Sequence, residues 1–219
     1  KWLLMSNNDL SLDSFMNIQN HSLKVLNVSE NPRLTQINFS PQMNMWSSLL
    51  SLNISSCCVD TIYNLPINLT TLVCSKNKLK SLPRLPESLR FVDCSFNEFE
   101  RIDPLMFVID LDASHNKLTV CPQLTDRIEK INLSHNNIRF INSHFIARQI
   151  KDVDISFNPI VKFYLQTIYN TLETLLVSDV QLNILNFYCG EDSRIDVLQL
   201  LINRNLARND AEYCKKMNI

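Results

Sequence analysis

The chain has 219 residues, with 21 Lys and Arg, 22 Asp and Glu, and a formal net charge of −1 at pH 7. This balance argues against a general nucleic-acid-binding or membrane-surface function, because both need a strongly basic patch. No apolar run approaches the length of a membrane-spanning helix. A glycine-rich phosphate-binding loop is nearly excluded too, because the whole chain contains 1 glycine.

One phrase recurs along the chain with a period of about 20 residues. It is clearest in residues 69–79 (LTTLVCSKNKL), 89–99 (LRFVDCSFNEF) and 128–138 (IEKINLSHNNI). In this template, positions 1, 4, 6 and 11 are apolar, position 9 is Asn and position 7 is usually Ser. A fixed period of this length predicts a solenoid of stacked units, in which function lies on a surface rather than in a catalytic motif.

The template predicts nine units, which together span residues 1–184. In chain order, position 9 falls on Asn8, Asn31, Cys57, Asn77, Asn97, Asn116, Asn136, Asn158 and Val180. The first unit is incomplete, because its position 1 would precede Lys1. We therefore expect the chain to continue a longer array or to be a trimmed part of one.

The alternation at positions 4 and 6 predicts a short strand with its apolar side chains on one face. Stacked units then form a parallel sheet that buries one apolar row after another. An Asn at position 9 lies in the buried turn after the strand, where its amide can satisfy backbone groups in its own unit and on the next one. The predicted structural ladder consists of Asn31, Asn77, Asn97, Asn116, Asn136 and Asn158.

This pattern resembles the leucine-rich repeat family in its short-unit form, from about Leu3 to Leu182. Residues 79–89 (LKSLPRLPESL) are similar to the convex LPxLPxSL phrase of bacterial effector repeats. The resemblance implies an α/β solenoid with a parallel concave sheet and a mostly non-helical convex side. Two prolines suit an extended run there, while the spacing in Phe163–Thr174 favours one or two helical turns.

The template stops after Leu182, and residues 185–219 are predicted to form a C-terminal helical cap or linker. Apolar Ile195, Leu198, Ile202 and Leu206 have helical spacing. Ser193, with Asp at the third residue after it, is close to a capping box. Such a helix would cover the last apolar rung of the array. The alternative is a helix that leads into another domain or binds a partner.

The 7 cysteines favour reduced thiols and an intracellular, cytoplasmic setting, because their number is odd and they form no clustered framework. Cys74 and Cys94 occupy the inward position 6, and a Cys189–Cys214 bridge is the alternative. Sequons at Asn20, Asn27, Asn38, Asn53, Asn68 and Asn132 point instead to a glycosylated extracellular protein. Three of these sequons are template positions 5 to 7, so the repeat itself generates them.

Template positions 3, 5, 7 and 8 are predicted to point to the concave face, with neighbouring units about 5 Å apart. In the C-terminal half these positions gather acidic and aromatic residues. The candidate partner-binding residues are Phe91, Asp93, Phe96, Asp110, Asp112, His115, Lys130, His135, Asp152, Asp154 and Phe157. We interpret them as a surface for a protein segment with basic and apolar character. The alternative is that Asp or Asn at position 5 is ordinary repeat consensus.

Three functions follow from the sequence. The first and favoured one is a stand-alone intracellular protein–protein interaction module. The second is the substrate-recognition or regulatory arm of a larger enzyme of the ubiquitin ligase, phosphatase or cyclase type, and the third is an extracellular receptor-type array. We predict no enzyme within these residues, because an open sheet offers no water-excluded pocket.

We also predict no cofactor and no metal site, since Cys57 and Cys58 lack zinc-site spacing. Neighbouring carboxylates on the face are expected to raise one another's pKa values. The two histidines of the face are expected to make binding sensitive to pH.

Overall fold

The computed structural model describes residues 1–18, 22–39, 46–141, 149–165, 174–177, 185–187 and 201–202. These residues wind into a solenoid of short parallel strands, so the predicted leucine-rich repeat architecture is confirmed. In chain order the elements are β1 (Trp2–Leu4), α1 (Leu12–Met16), β2 (Val25–Asn27), β3 (Gln36–Asn38), β4 (Ser51–Asn53), β5 (Thr61–Tyr63), β6 (Thr71–Val73), β7 (Phe91–Asp93), β8 (Asp110–Asp112), β9 (Lys130–Asn132), β10 (Phe140–Ile141), β11 (Asp152–Asp154), β12 (Lys162–Leu165), β13 (Thr174–Val177), β14 (Leu185–Phe187) and β15 (Leu201–Ile202).

The main sheet has ten parallel strands, in the order β1-β2-β4-β6-β7-β8-β9-β11-β13-β15. Its register aligns equivalent template positions, so that Leu52 pairs with Leu72 and Leu72 pairs with Val92. Within most strands the middle residue is buried and its two neighbours are half-buried. Each template position therefore forms a straight row across the sheet.

The core consists of such rows. Position 4 contributes Leu26, Leu52, Leu72, Val92, Leu111, Ile131, Val153 and Leu175, and position 6 contributes Val28, Ile54, Cys74, Cys94, Ala113, Leu133 and Ile155, all buried. Full burial of one Val, Leu or Ile side chain stabilises a fold by about 1.5–3 kcal/mol. The thiols of Cys74 and Cys94 lie within this core as small apolar groups.

The asparagines at position 9 join successive units by hydrogen bonds. The Asn97 Nδ2 donates to the carbonyl oxygens of Cys94 and Ser95 in its own unit and of Cys74 in the preceding unit. Its Oδ1 accepts from the backbone N–H of Leu79, also in the preceding unit. Asn31, Asn77, Asn116, Asn136 and Asn158 repeat this pattern. The inter-unit bonds thus run to the preceding unit, not to the next one as we expected.

The ladder is interrupted at Cys57. Its Sγ lies 3.3 Å from the carbonyl oxygen of Val28 and 3.6 Å from that of Ser55. A thiol is a weak donor with a single hydrogen, so it replaces the three donor contacts of an asparagine amide poorly. The adjacent long units instead pack three aromatic rings together, with centroids 5.1–6.0 Å apart between Phe15, Phe39 and Trp46.

The returning segments hold two further sets of strands that the sequence did not indicate. Strands β3 and β5 pair with each other, and β10, β12 and β14 form a three-stranded sheet. Residues 82–86, which include both prolines, have no regular secondary structure, in agreement with the prediction that this segment is not helical. Among the described residues of these segments, the α-helix is α1. The side chain of Ser11 caps it by accepting a hydrogen bond from the Ser14 N–H.

Two segments that the sequence predicted to be helical contain strands in the structure. The helical turns predicted in Phe163–Thr174 are wrong for residues 163–165, which belong to β12, and residues 166–173 lie outside the described residues. In the predicted C-terminal cap, β14 and β15 are strands, and β15 pairs with β13 at the edge of the main sheet. Strand pairing there extends the array past residue 184. Val180 and the remaining cap residues lie outside the described residues.

Candidate partner-binding face

The side chains at template position 8 stand on a backbone turn with positive φ. The φ angles are 52–57° at Asn7, Glu30, Ser56, Lys76, Phe96, His115, His135 and Phe157. For residues other than glycine this left-handed conformation costs about 1–2 kcal/mol. It is held by inter-unit hydrogen bonds, since the His115 N–H donates to the Ser134 carbonyl at 3.0 Å and the Phe96 N–H to the Ser114 carbonyl at 3.0 Å.

Six of the eight described serines at position 7 are buried and do not lie on the face, which corrects our expectation for that position; Ser6 is exposed and Ser55 is half-buried. Ser29, Ser75, Ser95, Ser114, Ser134 and Ser156 are only 4–8% exposed. The left-handed turn at the next residue carries the chain back towards the interior, and the serine carbonyl oxygens accept from the ladder amides, as in the bond from Asn97 Nδ2 to Ser95. The face therefore consists of positions 3, 5 and 8.

Four rings at position 8 stack on one another, and we call Phe96, His115, His135 and Phe157 the ring stack. The centroids are 4.0 Å apart from Phe96 to His115, 4.0 Å from His115 to His135 and 4.2 Å from His135 to Phe157. The ring planes are within 11° of parallel. The Lys76 Nζ lies 5.9 Å from the Phe96 centroid, within range of a cation–π contact.

The ring stack presents its edges to solvent. Phe96 is 46% exposed and Phe157 is 44% exposed, while His135 is exposed and His115 is half-buried. Aromatic rings with one buried and one exposed side are enriched at the centres of protein interfaces. The stack is thus a rigid, partly apolar ridge along one border of the face.

The position-5 residues next to this ridge also serve the fold. The Oδ1 of Asp93 accepts from the N–H and the hydroxyl of Ser95 at 3.0 and 2.7 Å. Asp112 and Asp154 accept from the N–H of the serine two residues later, both at 2.9 Å. Asn27, Asn53 and Asn132 form the same side-chain turn. One oxygen of each of these carboxylates therefore has the structural role expected if Asp or Asn at position 5 is ordinary repeat consensus. The negative charge of each carboxylate still contributes to the face.

Position 3 forms a row of alternating charge across the face. Lys130 pairs in register with Asp110 on one side and with Asp152 on the other. The Lys130 Nζ lies 3.0 Å from the Asp152 Oδ2. Burial raises the pKa of Asp110, Lys130 opposes that rise, and the charges of Asp112 and Asp152 add to it. Repulsion between carboxylates therefore contributes at Asp110, as expected, but burial is the larger cause.

The pKa of His115 is also shifted. Burial lowers the pKa of His115, the neighbouring His135 lowers it further, and the Asp112 carboxylate acts in the opposite direction. At pH 7 the ring stack is therefore largely uncharged at His115, beside a surface dominated by carboxylates.

The structure brings the eleven predicted residues together in three adjacent rows. Position 3 supplies Phe91, Asp110, Lys130 and Asp152, position 5 supplies Asp93, Asp112 and Asp154, and position 8 supplies the ring stack. Sequence reasoning did not include Lys76, which lies over Phe96, or Asn132, whose Nδ2 is 3.4 Å from the Asp112 Oδ2. The template places both residues on the face, because Lys76 occupies position 8 and Asn132 occupies position 5.

Outside the three rows, the described residues form a groove but no cluster of metal ligands. Among the described residues, no group of three or more His, Cys, Asp and Glu side chains is positioned to hold a metal ion. A groove of about 420 Å³ is formed by the returning segments 80–89 and 99–108, away from the three rows. Leu82, Leu85 and Ile102 line it. The described chain contains no helix long and apolar enough to span a membrane.

Comparison with known proteins agrees with this architecture. No protein-family model matches the chain. Keratocan from Coturnix japonica is 28% identical over 140 residues, which cover 58% of this chain and 39% of Keratocan. The chain thus spans about two fifths of the length of this relative.

Solved leucine-rich repeat domains have the same fold. The crystal structure of the leucine-rich repeat domain of APL1B superposes with a TM-score of 0.65 at 26% identity, covering 83% of this chain and 55% of that domain. The leucine-rich repeat domain of a Shigella effector superposes with a TM-score of 0.53 at 21% identity, covering 83% of this chain and 70% of that domain.

Proposed function

We propose that the chain, whose fold is that of solved leucine-rich repeat domains, binds a partner protein through the face formed by positions 3, 5 and 8. The observation behind this proposal is that position 8 has the same backbone geometry in units where no ring occupies it. Asn7, Glu30 and Ser56 occupy position 8 in the first units with the same φ of 54–57°. They also make the same inter-unit backbone bonds, at 2.9–3.0 Å.

The polar residues Asn7, Glu30 and Ser56 therefore adopt the backbone conformation that this position requires. The later units have four rings at the same position. An exposed ridge of rings buries apolar area when a partner covers it, and such rigid aromatic side chains lose little conformational entropy on binding. The surplus of rings over what folding requires supports a role in recognition.

The charges of the face define the partner's chemistry. Five carboxylates, at Asp93, Asp110, Asp112, Asp152 and Asp154, lie at positions 3 and 5 of the face together with the ammonium of Lys130, while a second ammonium, that of Lys76, lies over Phe96. Complementary charge steers association and sets specificity more than it sets affinity. We therefore propose a partner segment with basic side chains opposite the carboxylates and apolar side chains against the ring stack.

Peptide display tests the proposal. A random peptide library is selected on the folded protein at pH 7.5, and the enriched peptides are measured by titration against variants. We expect enrichment of Lys or Arg beside aliphatic residues, and at least about tenfold weaker binding to Phe96→Ser/Phe157→Ser, since hot-spot truncations cost 2 kcal/mol or more. Glu30→Ser, at the same template position outside the ring stack, is the control and should bind like the wild type.

The contribution of charge to binding is tested with the triple variant Asp93→Asn/Asp112→Asn/Asp154→Asn. Asparagine keeps the side-chain turn, as Asn27, Asn53 and Asn132 do, so this triple variant removes charge and preserves the fold. Weaker binding with an unchanged melting temperature is expected. The proposal is wrong if folded ring-stack and triple variants bind the selected peptides as tightly as the wild type, or if selection yields no basic peptides.

We also propose an intracellular setting. Five described cysteines are free, and burial raises the pKa of the Cys74 thiol and that of Cys121, the latter to about 12. Mass spectrometry of the protein from its source cells tests this. Reduced thiols and an unmodified Asn68, whose side chain is exposed, are expected, whereas a glycan there would favour the receptor-type alternative.

The intact mass from the same cells tests the alternative of an enzyme's recognition arm. A product much heavier than 25.4 kDa would favour the arm, while a product near that mass would favour a stand-alone module.

A further inference from the structure

We propose that the ring stack makes partner binding sensitive to protons, so that the face holds a basic segment when both imidazoles are neutral and releases it when they are protonated. This inference rests on the proposed function and assigns a regulation to the same site.

The geometry isolates the two imidazoles as a pair. His115 has the Phe96 ring on one side and the His135 ring on the other, each with centroids 4.0 Å away. His135 is enclosed in the same way between His115 and Phe157. Both ring faces of each imidazole are thus covered, and a proton on either ring creates a charge in direct contact with the other. Such a pair takes up its two protons in separate steps.

The neighbouring strands carry charged groups at the positions of the face. They are Asp93 on β7, Asp110 and Asp112 on β8, Lys130 on β9, Asp152 and Asp154 on β11, and Lys76 beyond the Phe96 ring. Asp112 favours the charged form of His115, while His135 and burial disfavour it. His115 is therefore protonated at a lower pH than an ordinary imidazole, and a charge on either ring opposes a charge on the other because the two rings are stacked.

Each proton changes the charge of the face in the direction that opposes a basic partner. When both imidazoles are charged, three cations stand among the five carboxylates, counting Lys130. These cations compete with the partner's basic side chains for the same carboxylates. Binding should therefore weaken as the pH falls from 7.5 to 5.5, before most carboxylates are protonated.

The first experiment follows the histidine ring protons of the full chain by NMR during a pH titration. We expect His115 to titrate at a lower pH than in the variant His135→Phe, which keeps a stacked ring and removes its charge. A His115 midpoint that is the same in both proteins would overturn the coupling and with it the proposal.

The second experiment measures a peptide selected at pH 7.5. We expect about three- to tenfold weaker binding at pH 5.5, because each new exposed charge pair changes affinity modestly. The variant His115→Phe/His135→Phe keeps four stacked rings without a titrating group, so its affinity should be the same at both pH values. Should it fold poorly, His115→Gln/His135→Gln serves the same purpose.

The control for this experiment is His21→Gln/His144→Gln, which replaces the chain's other two histidines and should keep the pH dependence. Equal affinity at both pH values in the wild type, or equal weakening in the double Phe variant, would contradict the inference while leaving the proposed function intact. Loss of the proposed function appears differently, as the absence of a selected peptide or as indifference to Phe96→Ser/Phe157→Ser.

Discussion

The first three units and the four units of the ring stack have the same framework and different surfaces. In both regions position 8 has φ of 52–57°, and the N–H groups of Asn7, Glu30, Ser56, Phe96, His115 and His135 donate to the next unit. In the first region its side chains are Asn7, Glu30 and Ser56, whereas in the second they are stacked rings. The contrast separates the residues that build the solenoid, at positions 4, 6 and 9, from those available for recognition.

The interior also differs between the regions at one residue. Asn97 makes four hydrogen bonds, two within its own unit and two to the preceding one, whereas Cys57 at the equivalent position offers one thiol. The array therefore tolerates a weakened rung where large aromatic residues pack nearby. The difference in what each residue contributes to stability can be measured.

The largest effect is expected from removing a full rung. Asn97→Ala leaves the buried N–H of Leu79 without its acceptor, which costs about 1–3 kcal/mol. It also removes one of the two hydrogen bonds that the carbonyl oxygens of Cys74, Cys94 and Ser95 each accept, at about 0.5–1.5 kcal/mol for each bond. We expect the free energy of unfolding to fall by about 3 kcal/mol or more, measured by urea titration. Cys57→Ala should cost about 1 kcal/mol or less, and equal losses in the two variants would contradict the ladder account.

A smaller effect of opposite sign is expected from repairing the weak rung. Cys57→Asn introduces the amide that every other described ladder position uses, so the urea midpoint should rise by an amount equivalent to about 1 kcal/mol. Cys58→Asn, one residue away and outside the ladder, is the matched control and should not stabilise the protein. Destabilisation by Cys57→Asn would mean that this unit has adapted to a smaller side chain.

The smallest effect concerns the face. Because burial raises the pKa of Asp110, its charged form is less stable in the folded state than in the unfolded one. That cost is present above the folded pKa and disappears as the pH falls below the unfolded value of 3.8. Asp110→Asn should therefore stabilise the protein at pH 7, by up to about 0.5 kcal/mol after solvent screening.

The gain from Asp110→Asn should fade towards pH 4, and thermal unfolding at several pH values measures it. Asp152→Asn is the comparison, since it removes the carboxylate that pairs with Lys130 at 3.0 Å and should give no gain at pH 7. A loss of stability in Asp110→Asn at pH 7 would show that attraction to Lys130 outweighs burial.

The sequence predicted those parts of the fold that the template repeats. Position 4, 6 and 9 residues recur with fixed spacing because each must meet the same neighbour in every unit, so the buried rows and the parallel sheet followed directly. The sheets of the returning segments were missed because those segments differ in length and have no shared pattern. Strands β3 and β12, for example, lie in units of unequal length.

The sequence predicted which residues belong to the candidate site but not how their side chains are arranged. Register placed His115 and His135 side by side, but the 4.0 Å stacking depends on a left-handed turn that is usually assigned to glycine or asparagine. The inward position of Ser95 and the bonded state of Asp93 were missed as well. Their signal was in the sequence, because Asp or Asn followed two residues later by Ser is typical of a side-chain turn.

The most direct test of the separation between framework and face is the variant Phe96→Ser/His115→Ser/His135→Ser/Phe157→Ser, which gives the later units the side chain that Ser56 has. Its unfolding curve and its affinity for a selected peptide would be measured side by side. We predict a cooperative unfolding transition close to that of the wild type together with loss of peptide binding. Unfolding of the array, or retained binding by the folded variant, would contradict the account.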